Sequence, residues 1–306
     1  MLSGAAIKSL GKRFRDGNYG EEDVALLEDY RATFDEVLLT VSARLNRALT
    51  TAGVSFVIAG RSKRIRSIIR KLARPEYHAM DLSRMADVVG LRVLVHDSHD
   101  QETALAAIGG ACPGARLIDY RDGVRPYRAA HVIVREDEGF CSVEIQVRTL
   151  PQQLWANESE SFGEEAKAGG GDPDIQAYLI ELSPLCVMLD REIPRSDADG
   201  VSPYFKGRLP LGLRLPVLQT LFVRAAARPG AEPPNESYII VYDSETNQCY
   251  QQHKYTLGER QEALSDYRRL TRSLDENRYE TLILNSNSDA AIQVTHPRFF
   301  PEPRMD

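Results

Sequence analysis

The sequence predicts an α/β protein of the α+β kind, in which strands and helices alternate and a smaller ββαβ module follows. Three observations carry this. Short period-2 stretches such as VSFVIAG (54–60) and CSVEIQVRT (141–149) read as strands. Between them lie segments with apolar residues at helical spacing. After Pro194 the composition shifts to Pro, Gly and Ser, and a second set of strand and helix patterns begins near residue 237.

Residues 21–50 place acids early and arginines late around a helical apolar stripe, which predicts one long helix. VSFVIAG is a strand ending in Gly60. RSKRIRSIIRKLAR (61–74) aligns Ile65, Ile68, Ile69 and Leu72 and predicts a helix stopped by Pro75. MADVVGLRVLVHD (85–97) reads as a buried strand and 99–112 as a helix closed by Gly109 and Gly110. HVIVRED (131–137) and CSVEIQVRT are strands. Helices are predicted over 150–167 and 172–193, broken by GGGD (169–172). RPGAEPPNES (228–237) reads as linker. SYIIVYD (237–243), QCYQQHKYT (248–256), 258–276 and ETLILNS (280–286) make up the ββαβ module. The division is therefore 1–195, a linker or packing segment 196–236, and a module 237–306, with intramolecular packing ranked first for that module because open sheet edges are a liability.

The 306 residues suffice for a sizeable core, and 42% hydrophobic with 27% charged residues is ordinary for a soluble globular chain. A net charge of −6 exerts no global pull on nucleic acid or anionic membrane, so any basic function is local. Cys112, Cys141, Cys186 and Cys249 have no CxxC spacing and predict reduced thiols. No secretory leader and no membrane-spanning run is read, so the expected compartment is the cytoplasm.

Segment 61–74 carries Arg61, Lys63, Arg64, Arg66, Arg70, Lys71 and Arg74. Read as a helix, it puts Lys63, Ser67 and Lys71 on one face, with Arg61 and Lys63 at an N-terminus suited to phosphate. A solvated basic face is the alternative reading of the same residues. Asp87 leads into an apolar strand, as a turn or cap residue often does. In VEIQVRT, Val143, Ile145 and Val147 alternate with Glu144, Gln146 and Arg148, so the polar face presents a carboxylate, an amide and a guanidinium in a row. Asp87 and Glu144 brought together would suit Mg²⁺, which takes one or two carboxylates plus substrate phosphates, and positioning with charge neutralisation is most of what phosphoryl-type transfer needs. HDSHD (96–100) reads as a loop tip rather than a metal site. Tyr127 and His131 stand four apart at a strand entrance, with Tyr127 either a base-stacking residue or a loop anchor.

Taken together and in order, RSKRIRSIIRKLAR, DVVGLR, YRAAH and EIQVRT followed by LWA resemble the synthetase domain of the RelA/SpoT enzymes, over about residues 20–190. The likeness is to the small single-domain synthetases, since the hydrolase domain of the long forms would need more than the fifty preceding residues. It implies a nucleotidyltransferase-like mixed sheet flanked by helices, and transfer of the β,γ-pyrophosphate of ATP to the 3′-OH of GDP or GTP. On the matching positions, Arg61 and Arg92 would sandwich the adenine, and Lys63, Ser67, Lys71 and Arg74 would hold the ATP phosphates. Asp87 and Glu144 would bind Mg²⁺, with Glu144 also orienting or deprotonating the 3′-OH. Tyr127 would stack on the acceptor base, with His131 near that nucleotide and Gln146 supporting the site. The acceptor loop IDYRDGVRPY (118–127) departs from the family: it is shorter, has Pro126 where the family has glycine, and lacks a lysine for which Arg125 would stand in.

Two other readings keep that resemblance. One has the same chemistry with an adenosine nucleotide or a tRNA 3′ end as acceptor, although a tRNA would want a basic surface that −6 does not promise. The other is a nucleotide sensor without turnover, which has less need of two carboxylates. The ending THPRFF and the C-terminal module are similar to a less-studied branch of the family, and a homo-oligomer or an antitoxin partner is left open.

Overall fold

Strand parity sorts this chain onto two faces of one sheet, and one of those faces is polar at its centre. The computed structural model describes residues 2–74, 80–123, 126–136, 141–162, 170–192, 214–226, 236–246, 248–275, 278–286 and 288–300. Helices α1 (Gly4–Arg15), α2 (Glu21–Ala32) and α3 (Phe34–Thr51) lead into strand β1 (Phe56–Ser62). Next come α4 (Ile65–Ala73), β2 (Val89–Val95), α5 (Ser98–Ala111), β3 (Arg116–Asp119), β4 (Ala130–Glu136) and β5 (Cys141–Thr149). Then follow α6 (Leu150–Ser161), α7 (Pro173–Glu192), α8 (Arg214–Ala225), β6 (Glu236–Asp243), β7 (Gln248–Tyr255), α9 (Arg260–Ser273), β8 (Tyr279–Ser286) and α10 (Asp289–Thr295).

The eight strands form a single mixed sheet in the order β3-β4-β5-β2-β1-β8-β6-β7, with helices on both faces. Among the described residues, β2 and β5 pair in parallel and the other pairings are antiparallel. β8 joins β1 through Ala59↔Ser286, Gly60↔Asn285 and Arg61↔Leu284. The strands of the C-terminal module thus continue the sheet of the preceding segment and cover the β1 edge, which would otherwise present unpaired backbone groups.

Phe56, Ile58, Leu91, Val93, Val143, Ile145 and Val147 point to the face covered by α3, α4 and α5 and form the largest buried cluster. The opposite face begins apolar, with Val57 and Leu94 packed under α6, α7, α8 and α10. It then turns polar at Arg61, Arg92, Glu144, Gln146 and Arg148, because each strand alternates its side chains with period two.

Several boundaries differ from the sequence reading. Residues 21–50 are two helices divided at Thr33, whose hydroxyl donates to the Tyr30 carbonyl at 2.7 Å, a local bond that competes with helix continuation. Arg61 and Ser62 belong to β1, paired with Gly90 and Val89, and Lys63 N–H extends the ladder to the Val88 carbonyl at 2.8 Å. Pairing to strands on either side outweighs the helical pattern there, so α4 starts only at Ile65. Asp87 sits in the turn before β2 rather than in the strand. The predicted linker region contains α8, which packs on α6 and α10. β3 and α10 were not read from the sequence.

Candidate active site

On the polar face, the floor of a cleft of about 750 Å³ is laid by strand register. Arg92 pairs with Gln146 across β2 and β5, and His131 pairs with Gln146 across β4 and β5. Gly90 lies between Arg61 and Glu144 in the ladder. A Cβ there would stand 3.2 Å from the Glu144 carbonyl oxygen, tighter than ordinary contact, so the bare backbone keeps the floor open. Tyr120 and Tyr127 form one wall. Trp155 of α6 and Gln176, Leu179 and Ile180 of α7 form another, and His296 after α10 closes a third side.

At one end, Lys63 and Lys71 both donate to Asp87 Oδ2, at 2.9 and 2.8 Å. Burial opposes ionisation of Asp87, but the two ammonium groups outweigh it and hold the carboxyl at about 2. Asp87 Oδ1 is buried and accepts no hydrogen bond among the described residues. An ionised carboxylate with one uncommitted buried oxygen, electrostatically coupled to Glu144, is a donor set that fits a hard divalent cation. HDSHD plays another part: Asp97 caps α5, accepting from His99 N and Asp100 N at 2.9 and 3.0 Å.

At the other end the hydrogen bonds close into a ring. Arg148 Nη2 donates to Tyr127 Oη at 2.9 Å and to Gln146 Oε1 at 2.8 Å. Tyr127 Oη and His131 Nε2 are 2.7 Å apart, His131 Nδ1 and Glu144 Oε1 3.1 Å apart, and Gln146 Nε2 donates to Glu144 Oε2 at 3.0 Å. Since Arg148 can only donate, Tyr127 passes its own proton toward His131, which donates through Nδ1 to Glu144. Both arms of the ring therefore end on Glu144. Burial pushes the Glu144 carboxyl up, but His131 more than offsets this and leaves it below its ordinary value. Each oxygen keeps acceptor capacity toward the cleft. Arg148, 1% exposed, also donates to Gln153 Oε1 at 3.0 Å. Burial raises the Tyr127 phenol despite Arg148 beside it.

The structure thus brings Arg61, Lys63, Asp87, Arg92, Tyr127, His131, Glu144 and Gln146 into one cleft. Lys71 reaches it through Asp87. Ser67 and Arg74 lie on α4 and at its C-terminal cap, half-buried and outside the cleft lining. Lys63 precedes α4 rather than sharing a helical face with Ser67, because the strand runs on through Ser62. Arg125 lies outside the described residues. Arg92 is 7% exposed; its guanidinium donates to the Thr295 carbonyl and stands 3.6 Å from Glu160. Sequence reasoning missed Arg148 as the hub of the ring, although its place on the polar face of VEIQVRT was visible. Tyr120, Trp155 and His296 lie in segments the sequence reading quoted, IDYRDGVRPY, LWA and THPRFF, but were not assigned to the site, since they meet it only through tertiary contacts.

The chain is similar to several known proteins. The model for the region found in RelA / SpoT proteins matches residues 60–165. An uncharacterized Mycobacterium tuberculosis protein, Rv1366, is 29% identical over 161 residues, 51% of this chain and 56% of that protein. The GTP pyrophosphokinase YjbM of Bacillus subtilis is 27% identical over 148 residues, 44% of this chain and 69% of the relative. The chain thus spans little more than half the length of the mycobacterial relative. A structure of a GTP pyrophosphokinase family protein from Streptococcus pneumoniae is 30% identical, covering 44% of this chain and 71% of that one, with a TM-score of 0.33. The small alarmone synthetase 1 of Bacillus subtilis is 25% identical with a TM-score of 0.43, covering 56% and 94%. The matched span runs from the end of β1 through α6 and holds Arg61, Lys63, Asp87, Arg92, Tyr127, His131, Glu144 and Gln146, so the chain carries the region found in RelA / SpoT proteins.

Proposed function

We propose that the cleft is the active site of an ATP-dependent pyrophosphokinase that transfers the β,γ-pyrophosphate of ATP to the 3′-OH of GDP or GTP. The observation that carries the reading is the meeting, on one polar sheet face, of the Lys63–Asp87–Lys71 cluster with a Glu144 carboxylate that terminates two hydrogen-bonded arms. The name of the Bacillus relative, GTP pyrophosphokinase, points the same way.

Lys63 and Lys71 neutralise the donor phosphates, while Arg61 and Arg92 stack on the adenine; Ser67 and Arg74 belong to the phosphate side through α4. Asp87 Oδ1 and Glu144 would hold Mg²⁺, which when bound supplies charge neutralisation at the phosphates. Glu144 accepts the proton of the acceptor 3′-OH. As that proton leaves, the 3′ oxygen attacks the β-phosphorus, the α,β-anhydride bond breaks, and AMP departs with the bond's electron pair. His131 and Gln146 hold the carboxylate still, so little reorganisation is needed during the step. Tyr127 and Tyr120 offer aromatic faces on the acceptor side, with Arg125 from the adjoining loop. Such substrates place the protein in the cytoplasm; among the described residues no helix is long and apolar enough to cross a membrane. Residues 1–195 form the catalytic segment in this reading, and 237–306 complete its sheet and close its cleft.

The test is thin-layer chromatography of γ-³²P-ATP with purified protein and Mg²⁺, offering GDP, GTP, AMP, ADP, ATP and tRNA in parallel. Label on a guanosine nucleotide is the expected result. Label on an adenosine nucleotide or tRNA keeps the chemistry and replaces the acceptor. ATP binding with no transfer to any acceptor would leave a nucleotide sensor.

A further inference from the structure

The third wall of the cleft comes from the C-terminal module, and it sets a histidine beside the guanidinium groups of Arg61 and Arg92. Around it Arg61, Arg92 and Arg148 supply only donors, and the Glu160 carboxylate stands 3.6 Å from Arg92. His296 lines the same space and is 4% exposed. Its tautomer follows from proton accounting. The single hydroxyl proton of Thr295 is directed to the Ala291 carbonyl at 2.7 Å. The 2.9 Å contact between Thr295 Oγ1 and His296 Nδ1 must then be donated by the imidazole. Nε2 is left as a lone-pair acceptor, with no hydrogen-bond partner among the described residues. Burial, with Arg92 and Arg61 nearby, lowers the pKa of His296 well below the ordinary histidine value and keeps that lone pair free at neutral pH.

The placement of this acceptor is set by its neighbour. The Thr295 carbonyl, at the negative end of α10, receives Arg92 Nη1 and Gln153 Nε2. His296 therefore stands beside a guanidinium whose orientation is already held. Ala59 pairs with Arg92, so Arg61, two residues on, is its diagonal neighbour on the same face. Diagonal neighbours on adjacent strands are about 7–8 Å apart, their Cβ atoms somewhat closer. A planar ring between two plates needs about the same, at about 3.5–4.0 Å per contact. A purine held there presents its polar edge at the rim of the plates, where adenine offers an exocyclic amino donor and guanine a carbonyl acceptor.

We propose that His296 Nε2 accepts a hydrogen bond from the 6-amino group of the donor purine, so that the C-terminal module selects adenine for the Arg61–Arg92 slot. This rests on the donor-site reading above. The experiment is calorimetric titration of the full chain with a non-hydrolysable ATP analogue and the matching inosine and unsubstituted-purine triphosphate analogues, in Mg²⁺. The intact protein should bind the adenine compound about tenfold or more tightly than either of the others, a lost buried hydrogen bond being worth about that factor. His296→Phe should bring the three affinities together, and His296→Gln, which restores an acceptor oxygen, should recover part of the preference. Equal binding of the adenine and inosine compounds by the intact protein would overturn the inference without help from any variant. So would a preference unchanged in a folded His296→Phe protein. Failure to bind any purine triphosphate would overturn the donor-site reading as well.

Discussion

Replacing Arg148 by Met should cost more stability than any surface substitution, and should silence the acceptor half of the site. The guanidinium is buried, lies 5.4 Å from the centre of the Tyr127 ring, and donates to Tyr127, Gln146 and Gln153. Each such charge-assisted bond is worth about 1.5–3 kcal/mol. The terms do not simply add, because Met fills much of the volume while three buried acceptors lose their donor. Removing one partner of a buried charged network typically costs about 3–5 kcal/mol. At about 2–4 °C per kcal/mol for a chain of this size class, Tm should fall by roughly 6–20 °C. Differential scanning calorimetry measures this, with Arg135→Met on exposed β4 surface as a control expected within about 0.5 kcal/mol. Below the new Tm, transfer should drop through the acceptor KM and kcat while ATP affinity holds, since Lys63, Lys71 and Asp87 lie outside the ring. A Tm loss no larger than that of Arg135→Met would refute the view that Arg148 holds the ring together.

Glu144→Gln should reduce transfer by at least about 100-fold, the usual contribution of a general base, with ATP binding retained; unchanged turnover would remove Glu144 from the chemistry. Tyr127→Phe leaves Arg148 and His131 short of one shared partner, so a stability loss of about 1–3 kcal/mol and a higher acceptor KM are expected in denaturant titrations and steady-state assays. Asp190 is raised from 3.8 to about 7 by burial, against hydrogen bonds from Thr149 and Gln152. Its folded form keeps a proton that the unfolded chain gives up, so stability should be full below about pH 4, fall as pH rises toward 7, and then level off. Asp190→Asn should abolish that fall, stabilising the protein at pH 8 by at most about 4 kcal/mol and leaving pH 4 nearly unchanged; equal effects at both pH values would reject the assignment.

The local pattern of the chain was enough to place most elements, and β5 matches its sequence reading residue for residue. Alternation in VEIQVRT already put Glu144, Gln146 and Arg148 on one face, since period two is a property of the strand alone. The helix read over 61–74 was shortened because β1 gains pairing on both sides, which no local propensity records. That change moved Arg61 from a helix start to a strand face diagonal to Arg92. The convergence of Lys63 and Lys71 on Asp87 depends on how α4 packs beside the turn before β2. Above all, the joining of β8 to β1 brings residues 236 positions apart, such as Arg31 and Tyr267, into hydrogen-bond contact and carries His296 to the cleft. Sequence by itself determined the polar strand face and its chemistry. Tertiary structure alone decided which distant side chains close the site, because pairing across sheet edges and packing between helices are set by the whole chain.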